Sequence, residues 1–203
     1  METLDPQDVA TYPLSKRLKQ ATQWQHDSVE RSMSALRPFE SRDGYVRLLT
    51  VQYGFQRYMM AFYRDAALVE WIPDLPERCR YSDTRRDCED LGIDLAALDA
   101  QCPPALPLSS PAALGWLYVN EGSNLGAAFL FNSAVELGMS ESFGARHLAP
   151  RETGRGLHWR TFTRYLDAIP LSDSEKAWAI AGARDAFVHV ESLARPLAHI
   201  SNE

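Results

Sequence analysis

His26 stands in the segment LSKRLKQATQWQHDSVERSMSALRPF, seven residues after Lys19 and four before Glu30. At helical spacing these three side chains share one face, and a rise of about 1.5 Å per residue puts the ammonium roughly 10 Å from the imidazole. An imidazole can ligate a metal through one ring nitrogen while a carboxylate, directly or through water, holds the other and fixes the tautomer. A cation two turns away suits an acidic group on the rim of a flat, metal-centred ring. Haem has that form, and His26 is then the candidate iron ligand. A surface or core histidine is the ordinary alternative for a lone His on a helix.

The second unusual feature is a set of glycines inside an apolar helix. The segment PAALGWLYVNEGSNLGAAFLFNSAVEL starts at Ser110-Pro111, continues to about Leu137 and closes at Gly138, with Gly115, Gly122 and Gly126 in its interior. Each costs about 1 kcal/mol against Ala, so something must compensate. Gly122 and Gly126 face the same way, with Tyr118 one turn earlier and Phe129 about one turn later. A bared backbone lets a flat ligand approach closely and lets the helix bend over it. Close helix packing of the small-xxx-small kind gives the same spacing, although the polar NEGSN beside it argues against a closely packed seam.

The elements that must hold these residues are helices. Apolar residues recur at three to four positions almost throughout and strand alternation is scarce, so the chain is expected to be all-α. A first helix is expected from about Leu14 to Leu36, ending before Pro38. A second, capped by Ser41, runs in SRDGYVRLLTVQYGFQRYMMAFYRDAALV. A charged helix follows from about Glu77 to Leu91, and the Pro-rich QCPPALPLSSP after Leu98 reads as a loop. Later helices are expected near Leu157 to Ile169 and from Ser172 to about Leu197, the last opened by a Ser172/Glu175 capping box.

The 203 residues contain no linker, repeat or low-complexity tract, which favours one domain. A net charge of −6 argues against nucleic acid as a partner. No stretch approaches the roughly 20 apolar residues of a membrane span, so no membrane insertion is expected. The start METLDPQDVATYP lacks a basic region and an apolar core. These features point to the cytoplasm. Cys79, Cys88 and Cys102 have no metal-finger spacing and read as free thiols. His147, His158, His189 and His199 have no carboxylate or cysteine at ligand spacing and read as structural or solvated, and Trp24 and Trp116 as buried aromatics.

The segments QATQWQHDSVE, PFESRDGYVRLLTVQYGFQ, ALGWLYVNEGSNLGAAFLF and SFGARHLAP resemble the bacterial haem oxygenases of the haem-iron acquisition type, in the family's order and over about Leu14 to Leu193. The resemblance implies a flexible N-terminus at 1–12 and a single haem oxygenase domain at 13–200, an all-α bundle with haem between a proximal and a bent distal helix. It makes His26 the proximal ligand, Glu30 its orienting partner, and Gly122 and Gly126 the distal glycines. The implied reaction opens haem, at once cofactor and substrate, to biliverdin, with release of carbon monoxide and ferrous iron. Dioxygen and external reducing equivalents would be consumed, the latter from a redox donor such as a ferredoxin, flavodoxin or NADPH-dependent reductase.

The resemblance also marks departures. Mammalian relatives carry an acidic residue on the distal helix to organise water, whereas the stretch from Gly122 to Gly126 has no Asp, so no side chain is assigned as proton donor. Lys19 and Tyr118 are the best propionate anchors. Relatives that open the ring elsewhere look to carry Asn and Phe at those places and a Lys-Lys pair where this chain has Asn132 and Ser133, so the α isomer is expected. Arg184 resembles a basic position near the haem edge. The cluster Arg78, Arg80, Arg85 and Arg86 is either a solvated face or a dock for an acidic donor. Two rivals remain: a haem-binding or storage protein that does not degrade the ring, and another activity on the same bundle. Of the latter, a di-iron enzyme would need Glu-x-x-His pairs and a thiaminase-like enzyme a nucleophilic Cys on the two pocket helices, and the sequence has neither.

Overall fold

Leu14 and Leu18 are buried on α1 (Leu14–Ala21), and this helix stops at Thr22. Thr22 turns its hydroxyl back to donate to the Leu18 carbonyl at 2.8 Å and takes φ −121°, ψ 9°, the local competition by which a β-branched hydroxyl residue disturbs a helix. The chain restarts as α2 (Gln23–Ser34). The single helix expected from Leu14 to Leu36 is therefore two, and Lys19 lies on the opposite side of the break from His26. The computed structural model describes residues 12–105, 108–151 and 153–198. Of the stretch expected to be flexible, 1–11 lies outside the described residues, as does His199, while the Tyr12 ring lies 3.5 Å from the Lys16 ammonium.

Ser41 caps α3 (Arg42–Met59), accepting from the Gly44 N–H at 3.1 Å. The expected continuation is interrupted by a 3₁₀ turn at Phe62–Arg64, after which Asp65 caps α4 (Ala66–Trp71). The charged helix is split into α5 (Leu75–Arg78) and α6 (Tyr81–Asp90). Sequence reading missed α7 (Leu95–Gln101), where the Asp94 carboxylate accepts from the N–H groups of Ala96 and Ala97. α8 (Ser110–Glu136) ends before Gly138, whose φ of 86° closes it as expected. A 3₁₀ turn at Arg146–Leu148, α9 (Arg155–Ala168) and α10 (Asp173–Ala194) complete the chain, and the Ser172/Glu175 capping box is present. The fold is all-α: among the described residues, the only β pairing is isolated bridges from Ser140 to Phe143 and Gly144.

The two longest helices, α8 and α10, cross backbone to backbone. A Cβ on Gly115 would stand 1.9 Å from the Ala179 carbonyl oxygen, and one on Gly182 would stand 2.1 Å from that of Ala112. Gly115 is thus a close-packing glycine, unlike the two that follow it. Around the crossing, Trp116 stacks on Tyr58 at 4.6 Å and packs with Phe55 and His189 in the main core. A second apolar cluster gathers Tyr45, Leu48, Ala127, Ala134, Met139, Ala145 and Leu148, and Met33 of α2 packs against both clusters. α1 is fastened to α9 by Ser15, whose N–H and hydroxyl both donate to the Asp167 carboxylate at 2.8 Å.

Candidate functional site

On α2 the His26 imidazole is half exposed, its side chain 54% accessible. Nδ1 lies 3.7 Å from Glu30 Oε1 and 3.8 Å from Asp27 Oδ1. These separations are ion-pair distances, too long for direct hydrogen bonds. Glu30 thus lies near Nδ1 on the same face, and Asp27, itself held by Gln23 at 2.8 Å, is a second nearby carboxylate that spacing alone did not suggest. The ring meets Phe187 of α10 edge-on at 6.1 Å. No described residue bonds Nε2, so a lone pair on that nitrogen is free to ligate a metal.

The glycines of α8 differ from one another. A Cβ on Gly122 would make ordinary contact with the Trp159 ring at 3.6 Å, and one on Gly126 would meet nothing within 4 Å. Tyr118 packs on the same Trp159, at 5.4 Å between ring centroids. Burial, then the charge of Asp167, pushes the Tyr118 phenol up to about 12, so it stays protonated and able to donate. Phe129 is 71% exposed and meets Phe39 edge-on at 6.5 Å. Met33 of α2 and Phe39, in the turn after it, pack against the cluster that includes Ala127 of α8, and Phe39 is the residue that meets Phe129. His26 is seven residues, roughly 10 Å, back along α2 from Met33, and Gly126 adjoins Ala127.

A flat apolar ring with a metal at its centre fits these residues. The free imidazole nitrogen could supply the ligand, and Gly126, Phe129 and Leu125 form an apolar, partly side-chain-free surface that water alone would cover at a cost. Trp24, expected to be buried, is instead 71% exposed on the turn before His26. Lys19 is exposed on α1, without an ion pair among the described residues. Arg184 of α10 donates through Nε to the Ala21 carbonyl at 3.3 Å, which caps the C-terminal end of α1. The structure brings together His26 with Glu30, and Tyr118 with Gly122, and joins Lys19 and Arg184 to neither pair.

Two buried polar networks flank the site, and neither was legible from sequence. His147, which lacks a local partner, is held by Asp87 at 2.7 Å through Nδ1 and by Gln52 of α3 at 2.6 Å through Nε2. Burial alone would raise the Asp87 pKa, but hydrogen bonds from the His147 ring and from the His147 and Arg146 N–H groups outweigh it and hold the carboxyl below its usual value. The other network centres on Glu121, which binds Tyr63, Arg78 and His158. Both histidines therefore have carboxylate partners from distant helices, and His189 sits in an aromatic stack. The arginine cluster divides: Arg78 is buried and Arg80 nearly so, bound to Asp83 and the Ala149 carbonyl, leaving only Arg85 and Arg86 on the surface.

The chain is similar to known proteins over nearly its whole length. The family model described as heme oxygenase matches residues 12–195. Heme oxygenase PigA of Pseudomonas aeruginosa is 42% identical over 187 residues, covering 92% of this chain and 94% of its own length. The solved NO- and CO-bound heme oxygenase of Neisseria meningitidis superposes with a TM-score of 0.83 at 38% identity, covering 95% and 96% of the two chains. Heme oxygenase-1 of the cyanobacterium Synechocystis, solved in complex with heme, shares the fold at a TM-score of 0.71 and 15% identity, covering 92% of each chain. With its helical architecture and a match along nearly its whole length, this chain belongs to the haem oxygenase family of enzymes.

Proposed function

We propose that this enzyme opens haem oxidatively to α-biliverdin with release of carbon monoxide and ferrous iron. Dioxygen is the oxidant, and electrons come from a separate ferredoxin, flavodoxin or NADPH-dependent reductase. The observation that carries the reading is the His26 ring, with Nε2 free and Nδ1 flanked by Glu30 and Asp27. Nε2 ligates the iron, and Glu30 orients the ring from the Nδ1 side. Gly122 and Gly126 admit the porphyrin to the α8 backbone and confine what lies above it, and Phe129 covers its edge. Lys19 and the protonated Tyr118 hold the propionates, with Arg184 supplying a further cation at the rim through the guanidinium nitrogens not engaged with Ala21. A neutral imidazole ligand, lacking the electron push of a thiolate, suits attack on the ring over cleavage of O–O.

Supporting the cytoplasm as the compartment, Cys79, Cys88 and Cys102 are all unpaired. No helix among the described residues is long and apolar enough to cross a membrane. Exposed Arg85 and Arg86 offer an acidic donor a small basic contact. The test is turnover of the haem complex with ascorbate under oxygen, followed by chromatography of the pigment. Loss of the Soret band with α-biliverdin as the main product is expected. A dominant β or δ isomer would overturn the proposed seat of the ring, and an unchanged Soret band would favour the carrier.

A further inference from the structure

Glu121 immediately precedes Gly122, yet its side chain enters the core and is 1% exposed. Three elements converge on its carboxylate. The Tyr63 hydroxyl donates to Oε1 at 2.6 Å, and Arg78 Nη1 and His158 Nε2 each reach Oε2 at 3.0 Å. The next residue back joins in: Asn120 donates to the Tyr63 oxygen at 2.7 Å and accepts from Gln56 of α3 at 2.8 Å. Donors thus run in one direction, from Gln56 through Asn120 and Tyr63 to the carboxylate. Burial keeps the Tyr63 phenol protonated by raising its pKa well above the ordinary value, the neighbouring Glu121 adding to this.

A buried ion pair is a poor source of stability compared with apolar residues of the same volume. Its use is geometric, because a satisfied buried network admits one arrangement. Here such an arrangement is needed. Gly122 and Gly126 weaken α8 where they lie, and their own face supplies only van der Waals contact at Trp159 and none at Gly126. Consecutive helical residues point about 100° apart, so fixing Glu121 fixes the direction in which the Gly122 backbone faces. Ala127, buried in the second cluster, fixes the other end.

We propose that Glu121 is a positioning residue that sets the rotation of α8 at the start of the glycine stripe and so the pose of the ring beneath it, with Tyr63 and His158 holding the carboxylate in place. This rests on the haem reading above. The test compares Glu121→Gln, Tyr63→Phe and His158→Leu with wild type for haem affinity, ascorbate-driven turnover and isomer ratio. Leu49→Ala, in the separate cluster of Leu49, Tyr53 and Cys88, is the control for stability loss alone.

Expected are haem affinities within about twofold of wild type, turnover lower by about tenfold and a broadened isomer ratio, while the control melts earlier but keeps the wild-type ratio. Should Glu121→Gln fail to fold, because it leaves Arg78 less compensated, Tyr63→Phe and His158→Leu retain the Arg78 pair and decide the matter. Wild-type rates and ratios in those variants would overturn the role of Glu121, as would an equal shift in the control. A wild type that binds haem without turning over would instead overturn the oxygenase reading.

Discussion

Burial among Tyr58, Trp116 and Phe55 lowers the His189 pKa below its ordinary value. The unfolded chain then takes up this proton first, so stability is full above the ordinary histidine value of about 6.5 and is lost as pH falls toward the depressed folded value. His189→Phe keeps a ring in the stack and removes the titration. Melting curves between pH 7.5 and 5.5 should fall less steeply in the variant, and parallel losses would show that His189 does not titrate as described. At the same scale, spacing found His26 and Glu30 because both lie on one helix within a turn. It could not find Asp27 as a partner, whose approach depends on rotamers, nor Glu121, whose partners come from helices far away in the chain.

Elements follow a similar division. The long apolar helix and its closing glycine were legible because periodicity and capping are local. The break at Thr22, the cap at Asp65 and α7 were not, because a polar side chain that competes with helical hydrogen bonds leaves the surrounding apolar period intact. The same limit applied to the glycines of α8, which spacing could not separate. Gly115 abuts the α10 backbone, while Gly126 faces open space. Gly115→Ala should therefore destabilise the protein by about 1 to 3 kcal/mol through overpacking. Gly126→Ala should stabilise the haem-free protein by up to about 1 kcal/mol, since Ala is the better helix former, and should slow turnover by placing a methyl group on the ring's surface. Thermal melts check both, and a shift of both variants in the same direction would contradict the distinction.

Taken whole, the molecule keeps its core on the α8–α10 crossing and leaves apolar side chains of α2 and α8 in water. Trp24 and Phe129 are the most exposed large apolar residues described, at 71% each, and the half-exposed His26 ring lies on the same helix as Trp24. A ligand that covers this surface and binds only the folded chain must raise its stability by mass action. Haem binding is therefore expected of the assembled bundle, and the bond proposed between His26 and the iron is where the account is most open to test. The direct measurement is a spectral titration of ferric haem into wild type and His26→Ala. Wild type should saturate at one equivalent with the spectrum of a histidine-ligated ferric haem, and the variant should lose that spectrum. Matching spectra and affinities in the two proteins would contradict the account.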